Sequence, residues 1–247
     1  MAASHWVGTS GWSYPNWAGP FYPAGLKQRD WLGFYARQLG TVEVNNSFYH
    51  LPREAMLRGW VERTPPGFLF AVKAWRAITH YRRLADCADH VAVFLDRVAM
   101  LGPKGGPVLF QLPPHWHADV DRLAGFLELL PEGRRFAMEF RDPSWHCDAV
   151  FDLLRARNVA FCPFELAGLT GPRVVTADFV YVRLHGRQSA YGGAYGEAAL
   201  ADWAAWLKAN MAAGRDVHVY FDNTDEADHA VRDAQRLNGL LQARDPA

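Results

Sequence analysis

Four titratable residues stand at the ends of short apolar runs and have the side chains that acid–base catalysis uses. They are Lys73, Glu139, His185 and Asp222. A carboxyl or imidazole group moves protons best when its pKa lies near the working pH, and a desolvated lysine becomes a base or an imine-forming nucleophile. The sequence therefore predicts an acid–base site at these positions. A purely structural ion pair of Lys73 with Glu43 or Glu139 is the alternative for this lysine.

Basic side chains stand at or just after the same run ends. Arg141 and Arg183 are expected to clamp an anion, because guanidinium groups match phosphate and carboxylate with two parallel hydrogen bonds. The substrate class expected from this is an anionic small molecule, phosphorylated or nucleotide-like. The other side chains expected to contact it are Glu43, Asn45, Gln111, Arg187, Asn223, Trp12, Tyr49 and Tyr191. Arg187 and Tyr191 belong to a Gly-rich segment, HGRQSAYGGAYG, that is suited to closing on a phosphate.

Two other interpretations use the same positions. Glu43, Glu139, His185 and Asp222 would together suit a divalent cation, but the neighbouring arginines and Lys73 would repel it. No cofactor is therefore predicted, and a metal-dependent hydrolase or isomerase stays an alternative. A charge-balanced structural network is the second interpretation. Because buried ion pairs stabilise a fold weakly compared with apolar packing, so many at one place favour a ligand site.

The elements that position these residues follow from the hydrophobic pattern. Eight short apolar runs alternate with helix-length segments. The predicted strands are His5–Ser10, Thr41–Asn45, Phe68–Lys73, Pro107–Gln111, Phe136–Arg141, Val159–Cys162, Phe179–His185 and Val217–Asp222. The predicted helices are Gln28–Leu39, Glu54–Arg63, Val91–Leu101, Asp119–Leu130, Asp148–Arg157, Leu200–Ala213 and Asp225–Leu241.

Alternation along the strands sorts the side chains into two faces. In the strand around Glu139, the apolar residues Phe136, Met138 and Phe140 point to covering helices, which leaves Glu139 and Arg141 on the other face. The same rule turns inward the polar residues near the ends of five other strands: Glu43, Asn45, Lys73, Gln111, Arg183, His185 and Asp222. Active sites of barrel enzymes lie at the carboxyl ends of the strands.

These patterns predict an α/β fold, a single (β/α)₈ TIM-like barrel of parallel strands. Run ends recur on average about every 30 residues, close to the spacing of such a barrel. A short or vestigial helix is expected after the sixth strand, where Gly168, Gly171 and Pro172 fall. An open doubly wound sheet is disfavoured because GTSGWSY is not a GxGxxG turn leading into a helix. No linker divides the chain, so residues 1–247 are expected to form one domain.

Composition excludes several classes of protein. The chain has 247 residues, of which 50% are hydrophobic and 21% charged, so it is not a disordered sequence. Its 26 basic and 26 acidic residues cancel, which disfavours contact with a membrane or with duplex nucleic acid. Three cysteines without CxxC spacing, and no signal-peptide pattern, predict a cytoplasmic protein. No apolar run approaches the roughly 20 residues that span a bilayer.

Eight ordered motifs resemble the YecE-like family, domain of unknown function 72. They are GTSGWSYPNW, FYP, VEVNNSFYHLP, FAVKAWRAITHYRRL, FQLPP, FAMEFRDPSW, YVRLHGR and YFDNT, and they cover about residues 6–240. The resemblance implies a TIM-like barrel. It implies no reaction and no catalytic residues, because the family has no established ones.

Taken together, the residues predict an enzyme that performs hydrolysis, isomerisation or lyase chemistry at the carboxyl-terminal mouth of the barrel. His80, in a loop after the third strand, is a further candidate acid or base, or an ordinary loop histidine. A non-catalytic protein that binds a nucleotide or single-stranded nucleic acid is the alternative, because basic and aromatic residues suit both roles.

Overall fold

The computed structural model describes residues 3–243. In this range the strands are β1 (His5–Ser10), β2 (Thr41–Val44), β3 (Leu69–Lys73), β4 (Gly105–Gln111), β5 (Phe136–Glu139), β6 (Ala160–Phe161), β7 (Phe164–Leu166), β8 (Leu169–Thr170), β9 (Phe179–Leu184) and β10 (Asp216–Phe221). The α-helices are α1 (Trp31–Tyr35), α2 (Asn46–Tyr49), α3 (Glu54–Arg63), α4 (Ala88–Ala99), α5 (Val120–Leu127), α6 (Asp148–Ala156), α7 (Glu197–Ala212) and α8 (His229–Gln242).

Each of the eight predicted strands has a counterpart, and β1 has the predicted bounds. Several strands end one or two residues earlier than predicted. Asn45, Arg141, His185 and Asp222 consequently lie just beyond strand ends. All seven predicted helical segments contain a helix, although the first holds only a 3₁₀ turn and the five-residue α1.

The chain forms two compact units. The first contains residues 3–43, 164–170 and 178–243. Its strands run in the order β2-β1-β10-β9-β7-β8, and β7 and β8 are its antiparallel pair. The parallel register places Ser10 beside Glu43 and Tyr220 beside Arg183. Buried β-branched and aromatic residues on both faces, such as those of β9 and β10, are typical of strands inside a parallel sheet.

The second unit contains residues 44–163 and 171–177. Its strands are parallel in the order β6-β5-β4-β3. The register places Gln111 beside Glu139, and Lys73 beside Leu109. Apolar side chains of α4, α5 and α6 are buried, in the pattern of amphipathic helices.

The segment after β6 differs from the prediction of a helix. A short or vestigial helix was expected there, but β7 and β8 form a hairpin, so the strands are not all parallel. Its two turn residues, Ala167 and Gly168, have φ of 48° and 84°. Two consecutive positive φ values are what a two-residue hairpin turn requires, and Gly168 adopts one without steric cost. Pro163 precedes β7 and cannot donate a hydrogen bond to a helix at this point.

Both units are therefore α/β structures with mainly parallel strands. None of the helices in residues 3–243 is long and apolar enough to cross a membrane.

Candidate functional site

The first unit holds a buried ion-pair network made by Ser10, Glu43, Tyr181, Arg183, His185 and Asp222. Arg183 and Glu43 form its centre, and both side chains are fully buried. The guanidinium donates to Glu43 Oε1 from Nη2 at 2.8 Å and from Nε at 3.1 Å. Nη2 also lies 3.3 Å from Asp222 Oδ2. Arg183 is thus shared between two carboxylates of its own unit.

His185 is held between Arg183 and Asp222. Its Nε2 lies 3.3 Å from Arg183 Nη1, and its Nδ1 lies 2.9 Å from Asp222 Oδ2. A guanidinium group only donates hydrogen bonds, so Nε2 accepts from Arg183. On the other side of the ring, the Nδ1–H donates to the Asp222 carboxylate. Both ring nitrogens of His185 are therefore engaged inside the network.

Two hydroxyl groups also donate hydrogen bonds to the Glu43 carboxylate. Tyr181 donates to Oε2 at 2.6 Å, and Ser10 donates to Oε1. Burial, with Glu43 next, raises the pKa of Tyr181 far above its ordinary value, so the phenol keeps its proton. Tyr14 donates to the Ser10 carbonyl, and burial and then Asp222 raise its pKa too. Arg183 faces two carboxylates in this network, so the formal charge of these three side chains is −1.

The second unit holds a cluster of opposite sign, which we call the cationic cluster: Lys73, Arg76, His80, Glu139 and Arg141. Glu139 is fully buried and accepts from Arg141 Nε at 2.8 Å. Arg141 keeps 11% of its side chain exposed. Lys73, Arg76 and Arg141 each carry one positive charge, and Glu139 carries one negative charge. The formal charge of the cluster is therefore about +2 when His80 is neutral.

Aromatic rings flank the cations of this cluster. The Lys73 ammonium lies 4.4 Å from the ring centre of Phe48. The Arg76 guanidinium lies 5.3 Å from the ring centre of Tyr49 and 5.1 Å from that of Tyr81. Such contacts contribute roughly 0.5–1 kcal/mol each at exposed sites. They orient the cations, and an aromatic ring does not neutralise the charge of a cation.

The pKa of His80 depends on the positive charges of the cationic cluster. Its Nδ1 lies 2.9 Å from Thr79 Oγ1, and its ring meets Phe48 edge-on at 4.8 Å between centres. Burial, and after it Lys73, Arg141 and Arg76 in that order, together lower the pKa of His80 from 6.5 to about 4. Three cations therefore act on one partly exposed ring.

The backbone that carries His80 is irregular. Ala77–Tyr81 is a single π-helical turn closed by a hydrogen bond from the Arg82 N–H to the Ala77 carbonyl. Arg83, Leu84 and Asp86 follow with φ of 47°, 65° and 46°. Left-handed conformations cost side-chain-bearing residues energy, and π-turns and such strain concentrate at functional sites.

The remaining predicted residues have other surroundings. Gln111 donates to the Leu112 carbonyl at 2.6 Å. Asn223 is buried and donates to the Gly193 carbonyl and to Asp233, so it braces the loop after β9. Burial raises the pKa of Asp233.

Predicted residues of the first, second and seventh loops lie in separate surroundings of their own, and their contact with a ligand stays a prediction. Tyr191 meets the His185 ring edge-on at 5.7 Å. Arg187 is mostly exposed, lies 3.5 Å from Glu165 and lines an open cavity of about 570 Å³ with Ser189, Gly192 and Gly193. The Trp12 carbonyl accepts from Tyr22, and Asn45 is half-buried beyond β2.

Sequence reasoning missed Arg76 and the role of Ser10 and Tyr181. Arg76 is not at a strand end, so alternation could not find it, and its signal was the aromatic residues that surround it. In residues 3–243, no group of three or more His, Cys, Asp or Glu side chains is placed to hold a metal ion. In the network, Arg183 lies among the carboxylates that had been considered as ligands.

The fold and its polar strand ends define an α/β protein with a mainly parallel sheet. The family model described as protein of unknown function DUF72 matches residues 6–247, so the chain belongs to the DUF72 family. This confirms the YecE-like resemblance of the motifs.

Individual relatives agree with this family. The chain is 32% identical to UPF0759 protein YecE of Escherichia coli over 57% of its length, and the match spans about half of YecE (49%). It is 25% identical to UPF0759 protein YunF of Bacillus subtilis over 95% of this chain and 94% of YunF.

Solved structures of the family share the fold. A DUF72 family protein from Thermotoga maritima has a TM-score of 0.87 at 25% identity, with 97% of this chain and all of that chain covered. A DUF72 family protein from Enterococcus faecalis has a TM-score of 0.80 at 18% identity, with 98% and 97% covered.

Proposed function

We propose that the cationic cluster binds an anionic small molecule of the phosphorylated or nucleotide-like class, and that the protein is an enzyme acting on it. One observation carries the proposal: Lys73, Arg76 and Arg141 all act on His80 and outweigh the charge of Glu139. A folded protein gains little from gathering like charges, because they repel one another. A ligand of opposite charge offsets this repulsion.

The chemical part of the proposal is acid–base catalysis. Lys73 and Glu139 are the candidates for proton transfer in the cationic cluster, and the reaction classes are hydrolysis, isomerisation and lyase chemistry. Roles for His185 and Asp222, closure of the strands into one eight-stranded barrel and a cytoplasmic location stay predictions from the sequence. A metal-dependent reaction is the less favoured alternative, because cations crowd the cluster.

A non-catalytic protein that binds a nucleotide or single-stranded nucleic acid is the second candidate. The aromatic rings around Arg76 favour it, because a binding surface for bases needs faces on which they stack. Turnover of the bound compound separates the two candidates.

Calorimetric titration with inorganic pyrophosphate at low ionic strength tests the anion site. Replacing Arg76 by Met keeps the apolar stem and removes the charge, and we expect affinity to fall about tenfold, the equivalent of roughly 1.4 kcal/mol. Lys73→Met should act in the same direction. Arg58→Met is the matched control, because Arg58 is 58% exposed and pairs with Glu54 on α3.

Two results would overturn the anion site. One is a wild-type protein that does not bind pyrophosphate at millimolar concentration. The other is equal loss of affinity in Arg58→Met and Arg76→Met, which would indicate a diffuse response to net charge.

A further inference from the structure

Tyr49 and Tyr81 are the most exposed large hydrophobic side chains of the described residues. Tyr81 is 68% exposed and Tyr49 is 53% exposed. Both belong to the second unit, and both contact the Arg76 guanidinium. The two rings thus lie on one arginine instead of being scattered over the surface, where single exposed apolar residues need no explanation.

Each ring is oriented by Arg76 and still offers surface to solvent. A cation over a ring occupies one of its faces, and more than half of each tyrosine side chain remains accessible. Tyr49 ends α2, and Tyr81 ends the π-helical turn that also carries His80. The rings are therefore held at their base by hydrogen-bonded helical turns, which lowers the entropy lost when a flat ligand stacks on them.

We propose that the anionic ligand contains a nucleobase, which stacks on Tyr81 with Tyr49 as a second face, while Lys73 and Arg141 contact its phosphate. This inference rests on the proposed anion site and specifies the class of ligand. A base has a π-face that stacks on tyrosine and on guanidinium planes. A free nucleotide and the terminal nucleotide of a single strand share this chemistry.

Titrations with three anions test the inference. Pyrophosphate carries charge alone, ribose 5-phosphate adds a sugar, and ADP adds the sugar and the base. Base stacking on an aromatic side chain contributes roughly 1–3 kcal/mol. We therefore expect ADP to bind at least about tenfold more tightly than pyrophosphate, and ribose 5-phosphate to bind no more tightly than pyrophosphate.

Substitutions of the rings locate the base. Tyr81→Leu should remove most of the tenfold advantage of ADP and weaken pyrophosphate much less, because only the orientation of Arg76 changes for that ligand. Tyr49→Leu should have a smaller effect in the same direction. Tyr81→Phe keeps the ring and should retain ADP affinity. Val93→Ala, at a 49% exposed residue on α4, is the control for loss of exposed apolar surface.

The outcomes distinguish the inference from the proposal beneath it. The inference of a nucleobase is wrong if ADP binds no more tightly than pyrophosphate or if ribose 5-phosphate matches ADP. It is also wrong if Tyr81→Leu weakens the binding of all three anions equally. In each of these cases the proposed anion site still stands. If none of the anions binds, the anion site fails and the inference fails with it.

A single-stranded hexanucleotide distinguishes the two sources of the base. If it binds more tightly than ADP and depends on Tyr81, the ligand is a strand end. If it binds no better than ADP, the ligand is a free nucleotide. Either result supports the inference, provided that Tyr81→Leu weakens the binding.

Discussion

The buried network and the cationic cluster contain the same types of residue but differ in the sign of their formal charge and in the groups that surround their cations. In the network, Arg183 is fully buried and shared between Glu43 and Asp222, and the Tyr181 hydroxyl donates to the second oxygen of Glu43. In the cationic cluster, the formal charge is positive, and Lys73 and Arg76 contact aromatic rings.

The difference separates structure from binding. A buried charge is tolerated only when it is paired and hydrogen-bonded, and the network meets this condition within the protein. The members of the cationic cluster carry a net positive formal charge at side chains that water still reaches, and an anionic ligand would offset it. Of the two regions, the cationic cluster is therefore the better candidate for a binding site, and the network is better suited to holding strand ends in position.

The largest expected effect breaks the network. Arg183→Met leaves Glu43 and Asp222 buried without their shared cation, and we expect the free energy of unfolding to fall by about 3–5 kcal/mol. For a chain of this size each 1 kcal/mol shifts the melting temperature by about 2–4 °C. Thermal denaturation followed by circular dichroism measures the shift.

The same substitution in the cationic cluster is the control. Arg76→Met removes two exposed cation–π contacts and should lower stability by no more than about 1–2 kcal/mol. If both variants lose the same stability, the two regions do not differ in the way that we describe.

Alternation along strands explains why part of this could be predicted. It assigned Glu43, Arg183 and Glu139 to a polar face, and all three are buried on strands as that rule requires. It could not say which cation neutralises which carboxylate, because that depends on strand register and on rotamers. Arg183 was therefore expected to bind an anion, whereas Glu43 and Asp222 already engage it.

Local backbone features account for the elements that were missed. The segment after the π-turn and the hairpin of β7 and β8 depend on residues with positive φ, several of which are not glycine. Such conformations are imposed by tertiary packing and leave weak signals in a sequence. Gly168 was noticed in the segment after β6, but its position as a turn residue was not.

A smaller effect is expected when charge is removed without a change of shape. Glu139→Gln keeps an acceptor for Arg141 and raises the net charge of the cationic cluster by one. We expect pyrophosphate to bind about fivefold more tightly, the equivalent of roughly 1 kcal/mol, which is what one unit charge contributes at about 4 Å in water-like surroundings. Stability should fall by about 1–1.5 kcal/mol, the difference between a hydrogen bond to a charged group and a hydrogen bond to a neutral one.

The same variant separates the binding and catalytic roles of Glu139. If Glu139 transfers a proton, turnover of any substrate found should fall about 10²-fold or more even though the anion binds better. The matched variant Glu43→Gln, in the network, should leave pyrophosphate affinity unchanged. Unchanged affinity in Glu139→Gln would mean that Glu139 does not face the anion.

The smallest expected effect is a pH dependence of the cationic cluster. The pKa of His80 is lowered from 6.5 to about 4 by burial and by Lys73, Arg141 and Arg76. Between these values the unfolded chain binds a proton that the folded protein does not, so stability is lost as the pH falls from about 6.5 toward about 4.

A bound dianion offsets the three cations and raises the pKa of His80, so the complex takes up a proton. Affinity for sulfate, whose charge is constant over this range, should therefore increase a few-fold as the pH falls, and His80→Gln should flatten both the affinity and the stability profiles. A sulfate affinity that is independent of pH in the wild-type protein, measured by calorimetry in two buffers of different ionisation enthalpy, would show that the anion does not lie close enough to His80 to share its electrostatic surroundings.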